Sequence, residues 1–454
     1  MKIIIIGGGT IGSAICSQLV QEGHDLTIVD TDQNILNEIS NICDTIGLLG
    51  NGADVSILRE AGAEKAELLI ALTQSDEINI LACAAAKKLG TNHTIARVRN
   101  PEYSELMRLL QNEMRLSLTI NPDLAVAKAI YRMFRFPAAA KIDTFCHGTV
   151  EFAEFLITKD SKICGLELSY IQKMFSRNFL ICAVLRGDYV YIPSGDFCLQ
   201  ENDTVCLVAS EEDLPHLLKS IGLHKDPVRN VLIAGGGRTT YYLMSMLRHT
   251  KIKTKIIEKD KNRCLELAKQ YSCPVICDNG TKQDLLLEED LEYVDAFLAL
   301  SDSDEENVIV SMYAKTIAQG KIITRINSMT YAEIFKEIGL DGIVSPQNST
   351  VSEIIRYVRS LANAYQDETS EIESLHRFMD DRLEVLEFSI KKEIEGLTDI
   401  PLRILPAKKG FLITCIVRNN RIIIPSGEDR LLTGDKVIVV TPQGLMKGLK
   451  DILH

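Results

Sequence analysis

Short apolar runs alternate with amphipathic stretches over the first 138 residues, then give way to strand-like segments, and the same succession starts again near residue 228. Within Lys2–Ile6 four isoleucines make a continuous apolar run, as a strand buried on both faces of a parallel sheet should have. A helix is predicted over Ile11–Gln21, ended by Gly23-His24, and a second strand over Leu26–Val29. A third strand precedes Gly50-Asn51-Gly52, a fourth covers Leu68–Leu72, and Thr94–Val98 is another. A helical stretch begins after Asn121-Pro122, where proline suits a first turn, and ends at Phe136-Pro137. Thr149–Ile157, Phe179–Leu185, Val190–Ile192 and Thr204–Val208 read as strands, as do Leu412–Val417 and Arg421–Ile424 further on. Asp226-Pro227 marks a linker. Gln366–His376 is acidic and polar and reads as a linker with helical tendency.

The succession is a repeat. Gly7-Gly8-Gly9 matches Gly235-Gly236-Gly237 at an offset of 228 residues. The same offset carries Asp30 onto Glu258, Asn51-Gly52 onto Asn279-Gly280, Thr73 onto Ser301, Asp76-Glu77 onto Asp304-Glu305, Asn79 onto Asn307, and Arg97 onto Arg325. Later the copies drift, and Pro193-Ser194-Gly195 matches Pro425-Ser426-Gly427, and Asp203 matches Asp435, at an offset of 232. The expected fold class is α/β: two Rossmann-like, doubly wound parallel-sheet domains, each followed by a small α+β domain. Expected boundaries are 1–138, 139–225, 226–363 and 364–454, the last including the linker.

Composition narrows the function. The chain has 454 residues, 46% hydrophobic and 25% charged, as in ordinary globular proteins. Its net charge of -12 argues against nucleic-acid binding. No apolar run is long enough to span a bilayer, and Met1-Lys2 leads directly into a strand, so a cytoplasmic location is expected. The twelve cysteines lack CxxC pairs. Cys16, Cys83, Cys182 and Cys206 sit in apolar contexts and read as reduced core thiols, while Cys273 and Cys277, the closest pair, flank a turn and leave metal or redox use open.

The chemistry lies in the first loop. Gly7-Gly8-Gly9-Thr10-Ile11-Gly12 is a GxGxxG that follows a strand, opens a helix and meets Asp30 at the end of the next strand. Gly7 permits the tight turn, Gly9 lets a pyrophosphate approach the backbone, and Gly12 lets helix and strand pack closely. The amides of Thr10 and Ile11 begin the helix and face the phosphates. Asp30 can accept from ribose hydroxyls and repels a 2′-phosphate, which favours NAD(H) or an adenosine nucleotide over NADP(H). Asn51 is either a turn residue or a ligand contact, and Thr73 a helix N-cap or a phosphate contact. Asp76 and Glu77 begin a helix. Arg97 and Arg99 share one strand face and either pair with acids or hold a terminal phosphate.

The second copy keeps Gly235, Gly237 and Glu258, and the offset makes Asn279, Ser301 and Arg325 its further candidates. Its third glycine is replaced by Thr240, which should push the helix off the strand, so the site either binds more weakly or is an empty structural copy.

With these motifs the chain resembles the TrkA family, the tandem RCK (KTN) regulatory subunits of Trk-type potassium uptake systems. The resemblance rests on Met1–Gly9, Glu22–Asp30, Gly50-Asn51-Gly52-Ala53, Thr73–Asn79, Ala96-Arg97-Val98-Arg99 and the Pro-Ser-Gly of each small domain. It implies a regulator rather than an enzyme, with RCK_N and RCK_C domains in alternation. It implies NAD(H) and ATP or ADP as ligands at Gly7, Gly9, Gly12, Asp30, Asn51, Thr73 and Arg97, with Arg99 on a terminal phosphate. It also implies a homotetrameric ring at the inner face of the cell membrane, beneath a TrkH/TrkG-type channel-like partner. Two other readings stay open. An NAD-dependent oxidoreductase would need an acid/base from the small domains, where His147 and His376 lack counterparts in the other copy. A soluble nucleotide sensor would need no membrane partner. Asp203 and Asp435 read as turn residues rather than metal ligands.

Overall fold

The structure, a computed structural model, describes every residue except 104–106, 108–115, 176–178, 224–225, 328–334, 336–338, 341, 367–368, 380, 409, 443–445, 447 and 454, and the elements below are those of the described residues. The first sheet is parallel, with β1 (Lys2–Ile6), β2 (Asp25–Asp30), β3 (Ile46–Leu49), β4 (Leu68–Ala71), β5 (His93–Arg97) and β6 (Leu118–Ile120) in the order 3-2-1-4-5-6. The order reverses between β1 and β4, which leaves a crevice at their carboxyl ends. Residues 3 to 6 of β1 are fully buried, as an apolar run between two helical layers requires. Helices α1 (Thr10–Gln21), α2 (Gln33–Ile42), α3 (Val55–Glu60), α4 (Asp76–Leu89) and α5 (Pro122–Arg135) connect the strands. Asp32 caps α2, and Ser75 caps α4, whose first turn carries Asp76 and Glu77 and whose C-cap is Gly90.

The second sheet is antiparallel, with β7 (Lys141–Phe145), β8 (Val150–Leu156), β9 (Phe179–Arg186), β10 (Tyr189–Tyr191) and β11 (Thr204–Ser210) ordered 10-9-11-8-7. It carries α6 (Leu168–Met174) and α7 (Asp213–Ile221). The third sheet repeats the first: β12 (Asn230–Ala234), β13 (Lys253–Glu258), β14 (Val275–Cys277), β15 (Ala296–Ala299), β16 (Lys321–Arg325) and β17 (Gly342–Val344), ordered 14-13-12-15-16-17. Its helices are α8 (Arg238–Leu247), α9 (Lys261–Gln270), α10 (Gln283–Glu288), α11 (Asp304–Ile317) and α12 (Pro346–Gln366). The fourth sheet is antiparallel, with β18 (Ser370–Phe378), β19 (Leu383–Ile390), β20 (Leu412–Arg418), β21 (Arg421–Ile423) and β22 (Lys436–Pro442) ordered 18-19-22-20-21.

β18 corrects the linker reading of Gln366–His376. A bulge between Ile372 and Ser374 breaks the alternation that would have announced a strand. Ile372 and Leu375 are nonetheless buried against β19, while Glu371 and Glu373 stay partly exposed.

The chain forms two compact units, one of Met1–Tyr131 with Arg229–Ile355 and one of Arg132–Val228 with Arg356–His454. Like therefore folds with like, although the sequence alternates the two domain types. In the second unit one apolar core is common to both antiparallel sheets: Phe145, Phe152, Cys182 and Val208 pack with Phe378, Val385, Cys415 and Ile438. The pairing registers define equivalent positions. Lys141 faces Glu154 as Ser374 faces Glu387, so Asp143 corresponds to His376, Thr144 to Arg377, Phe145 to Phe378 and Cys146 to Met379. Cys146 and Met379 both take left-handed backbone at φ 50°. Each donates its amide to the other copy's glutamate, Cys146 to Glu387 and Met379 to Glu154. These bonds give each buried carboxylate a backbone donor from the other copy. Asp203 and Asp435 are more than turn residues. Each is buried and gripped by both arms of one arginine, Arg186 at 2.8 and 2.8 Å and Arg418 at 2.8 and 2.7 Å.

Candidate functional site

The first loop leaves β1 at Gly7, whose φ of 95° is the left-handed backbone that glycine permits. A Cβ on Gly12 would lie 2.1 Å from the Gly7 carbonyl oxygen, so this position holds helix and turn in direct contact. A Cβ on Gly9 would meet nothing within 4 Å, and Gly9 caps α1 with no side-chain hydrogen bond. The first amides of α1 thus face open space, the arrangement that receives a phosphate. Thr10 and Ile11 form that first turn, and the Thr10 carbonyl accepts from Ser13 and from Gln347.

Asp30 ends β2. Its Oδ2 accepts from the Gly8 amide at 2.7 Å and its Oδ1 from the Asp32 amide at 3.0 Å, which fixes the carboxylate beside the loop. Asn51 is exposed and accepts from the Ala53 amide at 3.0 Å, an Asx turn. Thr73 is not the N-cap of α4, because Ser75 holds that place. Its hydroxyl and amide both donate to Asn79 Oδ1, at 2.7 and 2.8 Å, while Asn79 Nδ2 donates to the carbonyls of Thr73 and Arg97. Asn79 therefore ties the ends of β4 and β5 together.

Arg97 and Arg99 do not share a strand face, since β5 ends at Arg97. Arg97 is buried and donates to the Thr73 carbonyl at 2.7 Å, and its Nε has no hydrogen-bond partner. Burial, and then repulsion from Arg99, lower its pKa to about 10, so it remains a cation at neutral pH. Arg99 donates to the Gln74 carbonyl, and its guanidinium lies 3.8 Å from Asp76. The acid-pairing alternative thus describes Arg99 and not Arg97.

The second loop repeats this plan with changes. Gly235 has φ 111° and Gly237 caps α8 without a side-chain bond. Glu258 accepts from the Gly236 amide at 2.6 Å and from the Asp260 amide at 2.8 Å, as Asp30 does in the first copy. Thr240 is buried and donates to the Gly235 carbonyl at 2.6 Å. A side chain where Gly12 leaves only 2.1 Å requires α8 to stand farther from its strand, and the hydroxyl bridges the gap. Asn279 forms the matching Asx turn, and Ser301 and Asn307 repeat the backbone-to-side-chain bonds of Thr73 and Asn79, while the Ser301 hydroxyl donates to the Ser303 carbonyl at 3.3 Å. Arg325 differs from Arg97. It reaches Asp302 at 2.8 Å and lies 3.9 Å from Asp123. Asn327 stands where Arg99 is in the first copy, bonded to Asp304.

Three residues at the junction of the two parallel-sheet domains were not singled out by the sequence. Asp123 accepts from the Thr239 hydroxyl at 3.0 Å, and the Tyr242 hydroxyl donates to the Arg99 carbonyl at 3.0 Å. Arg238, the exposed first residue of α8, is close enough to Arg97 to weigh on its charge. A cation inside a phosphate-loop motif, at the position of Thr10, is the signal that could have drawn attention to Arg238. The His147 side chain lies outside the described residues. His376 faces Asp143.

The TrkA-N domain model matches residues 3–117 and 231–346, and the TrkA-C domain model matches residues 152–222. The chain is 29% identical over 456 residues to the Trk system potassium uptake protein TrkA homolog of Archaeoglobus fulgidus, covering 100% of both chains. It is 30% identical over 448 residues to TrkA homolog 1 of Methanosarcina mazei, covering 97% of each. It is 30% identical over 447 residues to the Trk system potassium uptake protein TrkA of Halomonas elongata, covering 97% of this chain and 95% of that one. Among solved structures, the GsuK channel bound to NAD matches 97% of this chain and 77% of its own, with a TM-score of 0.64 and 17% identity. GsuK bound to ADP matches 81% and 69%, with a TM-score of 0.51 and 14% identity. At these identities the likeness concerns the fold. Among the described residues no helix is long and apolar enough to cross a membrane.

Proposed function

The chain belongs to the TrkA family, and from that premise we propose that it is a nucleotide-sensing regulatory subunit of a Trk-type potassium uptake system. In this reading it binds NAD(H) or ATP/ADP and passes the occupancy of its sites to a TrkH/TrkG-type membrane partner, as a homotetrameric ring at the inner face of the membrane. The observation that carries the reading is the first loop. Open helix amides at Gly9 face the crevice, Asp30 stands at the neighbouring strand end, and Arg97 retains an unpartnered buried Nε. The relatives named above are potassium uptake proteins, and GsuK, of similar fold, has been solved with NAD and with ADP.

Gly7, Gly9, Thr10, Ile11 and Gly12 would cradle the phosphates, Asp30 the ribose, and Asn51 and Thr73 the crevice floor. Arg97, Arg99 and Arg238 would meet the outer phosphates. A ligand shifts a conformational equilibrium only by its differential affinity for the two states. Cations that reach a third phosphate supply that difference between ATP and ADP. The second copy is the weaker site, because Asp302, 2.8 Å from Arg325, already offsets its charge.

The test is a thermal titration of the intact protein with NADH, NAD, ATP and ADP. The melting temperature rises with at least one of them, and Asp30→Ala removes most of the rise. No rise with any of the four overturns the reading, and steady NADH oxidation with an added carbonyl substrate would replace it with an oxidoreductase. Co-purification with a potassium-transporting membrane protein separates the regulatory subunit from a sensor that acts alone.

A further inference from the structure

A cavity of about 320 Å³ opens between the two antiparallel sheets of the second unit, lined by Thr144, Phe145, Cys146, Glu373, Ser374 and Glu387. Its meaning comes from the equivalence of the two copies. Thr144, Phe145, Cys146, Ser374 and Glu387 correspond to Arg377, Phe378, Met379, Lys141 and Glu154. Those five are Lys141 and its surroundings. The Lys141 ammonium donates to the Arg377 carbonyl, lies 5.2 Å from the centre of the Phe378 ring, and pairs in register with Glu154. The cavity reproduces that setting, with a carbonyl, an aromatic ring and a buried carboxylate, but Ser374 stands where the lysine would be.

The charges agree. Glu387 is buried and kept ionised: burial alone would raise its pKa, but the Cys146 amide, the Ser374 hydroxyl and Lys436 together lower it. Glu373, the extra residue of the β18 bulge, adds a second carboxylate. Lys436 donates to Glu373 at 2.5 Å and reaches Glu387 only at 3.4 Å. One ammonium thus serves two carboxylates, and one negative charge is left beside the Phe145 ring. A primary ammonium matches this wall, since it donates to a carbonyl and a carboxylate and is attracted to an aromatic face. We propose that the cavity binds the primary ammonium group of a small organic amine, in the place that Lys141 fills in the other copy.

The test is calorimetric and thermal titration of the intact protein with butylammonium chloride, at fixed ionic strength, beside potassium chloride and 1-butanol. Saturable binding is expected for butylammonium alone. Ser374→Lys supplies a tethered ammonium, so it should raise the melting temperature without ligand and abolish butylammonium binding. Glu373→Ala removes the second carboxylate and leaves Lys436 to Glu387, so it should weaken binding by about tenfold or more. It stands in for Ser374→Lys should that variant fail to fold. Absence of saturable binding, an equal response to potassium chloride or 1-butanol, or binding unchanged in the variants overturns the proposal.

Discussion

Asp143 and His376 hold equivalent registers in the two antiparallel sheets, and their side chains meet, with His376 Nδ1 3.2 Å from Asp143 Oδ2. A pair of equivalent residues in mutual contact marks a local two-fold axis between the copies. Arg132 completes the group, 2.6 Å from Asp143 Oδ1.

The Asp143 carboxyl is held below the usual carboxylate range. Burial would raise it, but His376, Arg132 and Lys141 together outweigh burial. A depressed folded-state pKa contributes stability above the unfolded value, about 4, and the contribution is lost as pH falls further. Asp143→Asn should therefore lower stability at pH 7 by about 2 kcal/mol. Melting curves from pH 7 to pH 3 should show the gap between the two proteins closing below about pH 4.

Glu151 behaves in the opposite sense. Burial, only partly offset by Arg135, raises its pKa to about 7, and its Oε2 lacks a hydrogen-bond partner. The folded state then binds a proton that the unfolded state has released between about pH 4 and 7, so this residue costs stability as pH rises. Glu151→Gln should be more stable than the parent at pH 8, by about 2 kcal/mol, and equal to it near pH 4. A constant difference across that range would contradict the assignment.

Gly12 and Thr240 should respond in different ways. Gly12→Ala places a Cβ 2.1 Å from the Gly7 carbonyl oxygen and must lift α1 from its strand. The expected cost is about 2 kcal/mol or more, together with lost nucleotide protection. Thr240→Gly removes the bond to Gly235 and puts glycine into a helix, a loss of about 2 kcal/mol that leaves protection through the first loop intact. Melting temperatures with and without nucleotide read both effects.

Asp203 and Asp435 make the same bonds in the two copies. Asp203→Ala and Asp435→Ala each strand an arginine and a turn amide. Each should cost about 2–3 kcal/mol, and the two losses should agree within about 1 kcal/mol in denaturant titrations.

Much of this architecture was legible in the chain because its signals are local. Gly7 to Asp30 is one strand–turn–helix–strand unit, and a constant offset repeats it. The parts that were not legible depend on residues far apart. Asp123 meets Thr239, and Glu154 meets the Met379 amide, across more than a hundred residues, and no periodicity links such positions. Arg97 and Arg99 looked alike in spacing, and only the end of β5 between them separates a residue bonded to a carbonyl from one paired with an acid. β18 carries no clear strand pattern because its bulge shifts the alternation of buried and exposed positions.

The pairing of like with like inside one chain has a consequence for how its sites can differ. When two identical subunits meet about an axis, every substitution is made twice, and both halves of the contact change together. Here Asp143 faces histidine rather than another aspartate, Lys141 has Ser374 as its counterpart, and Gly12 has Thr240. A single covalent chain keeps the geometry of a symmetric dimer while letting each half carry its own chemistry.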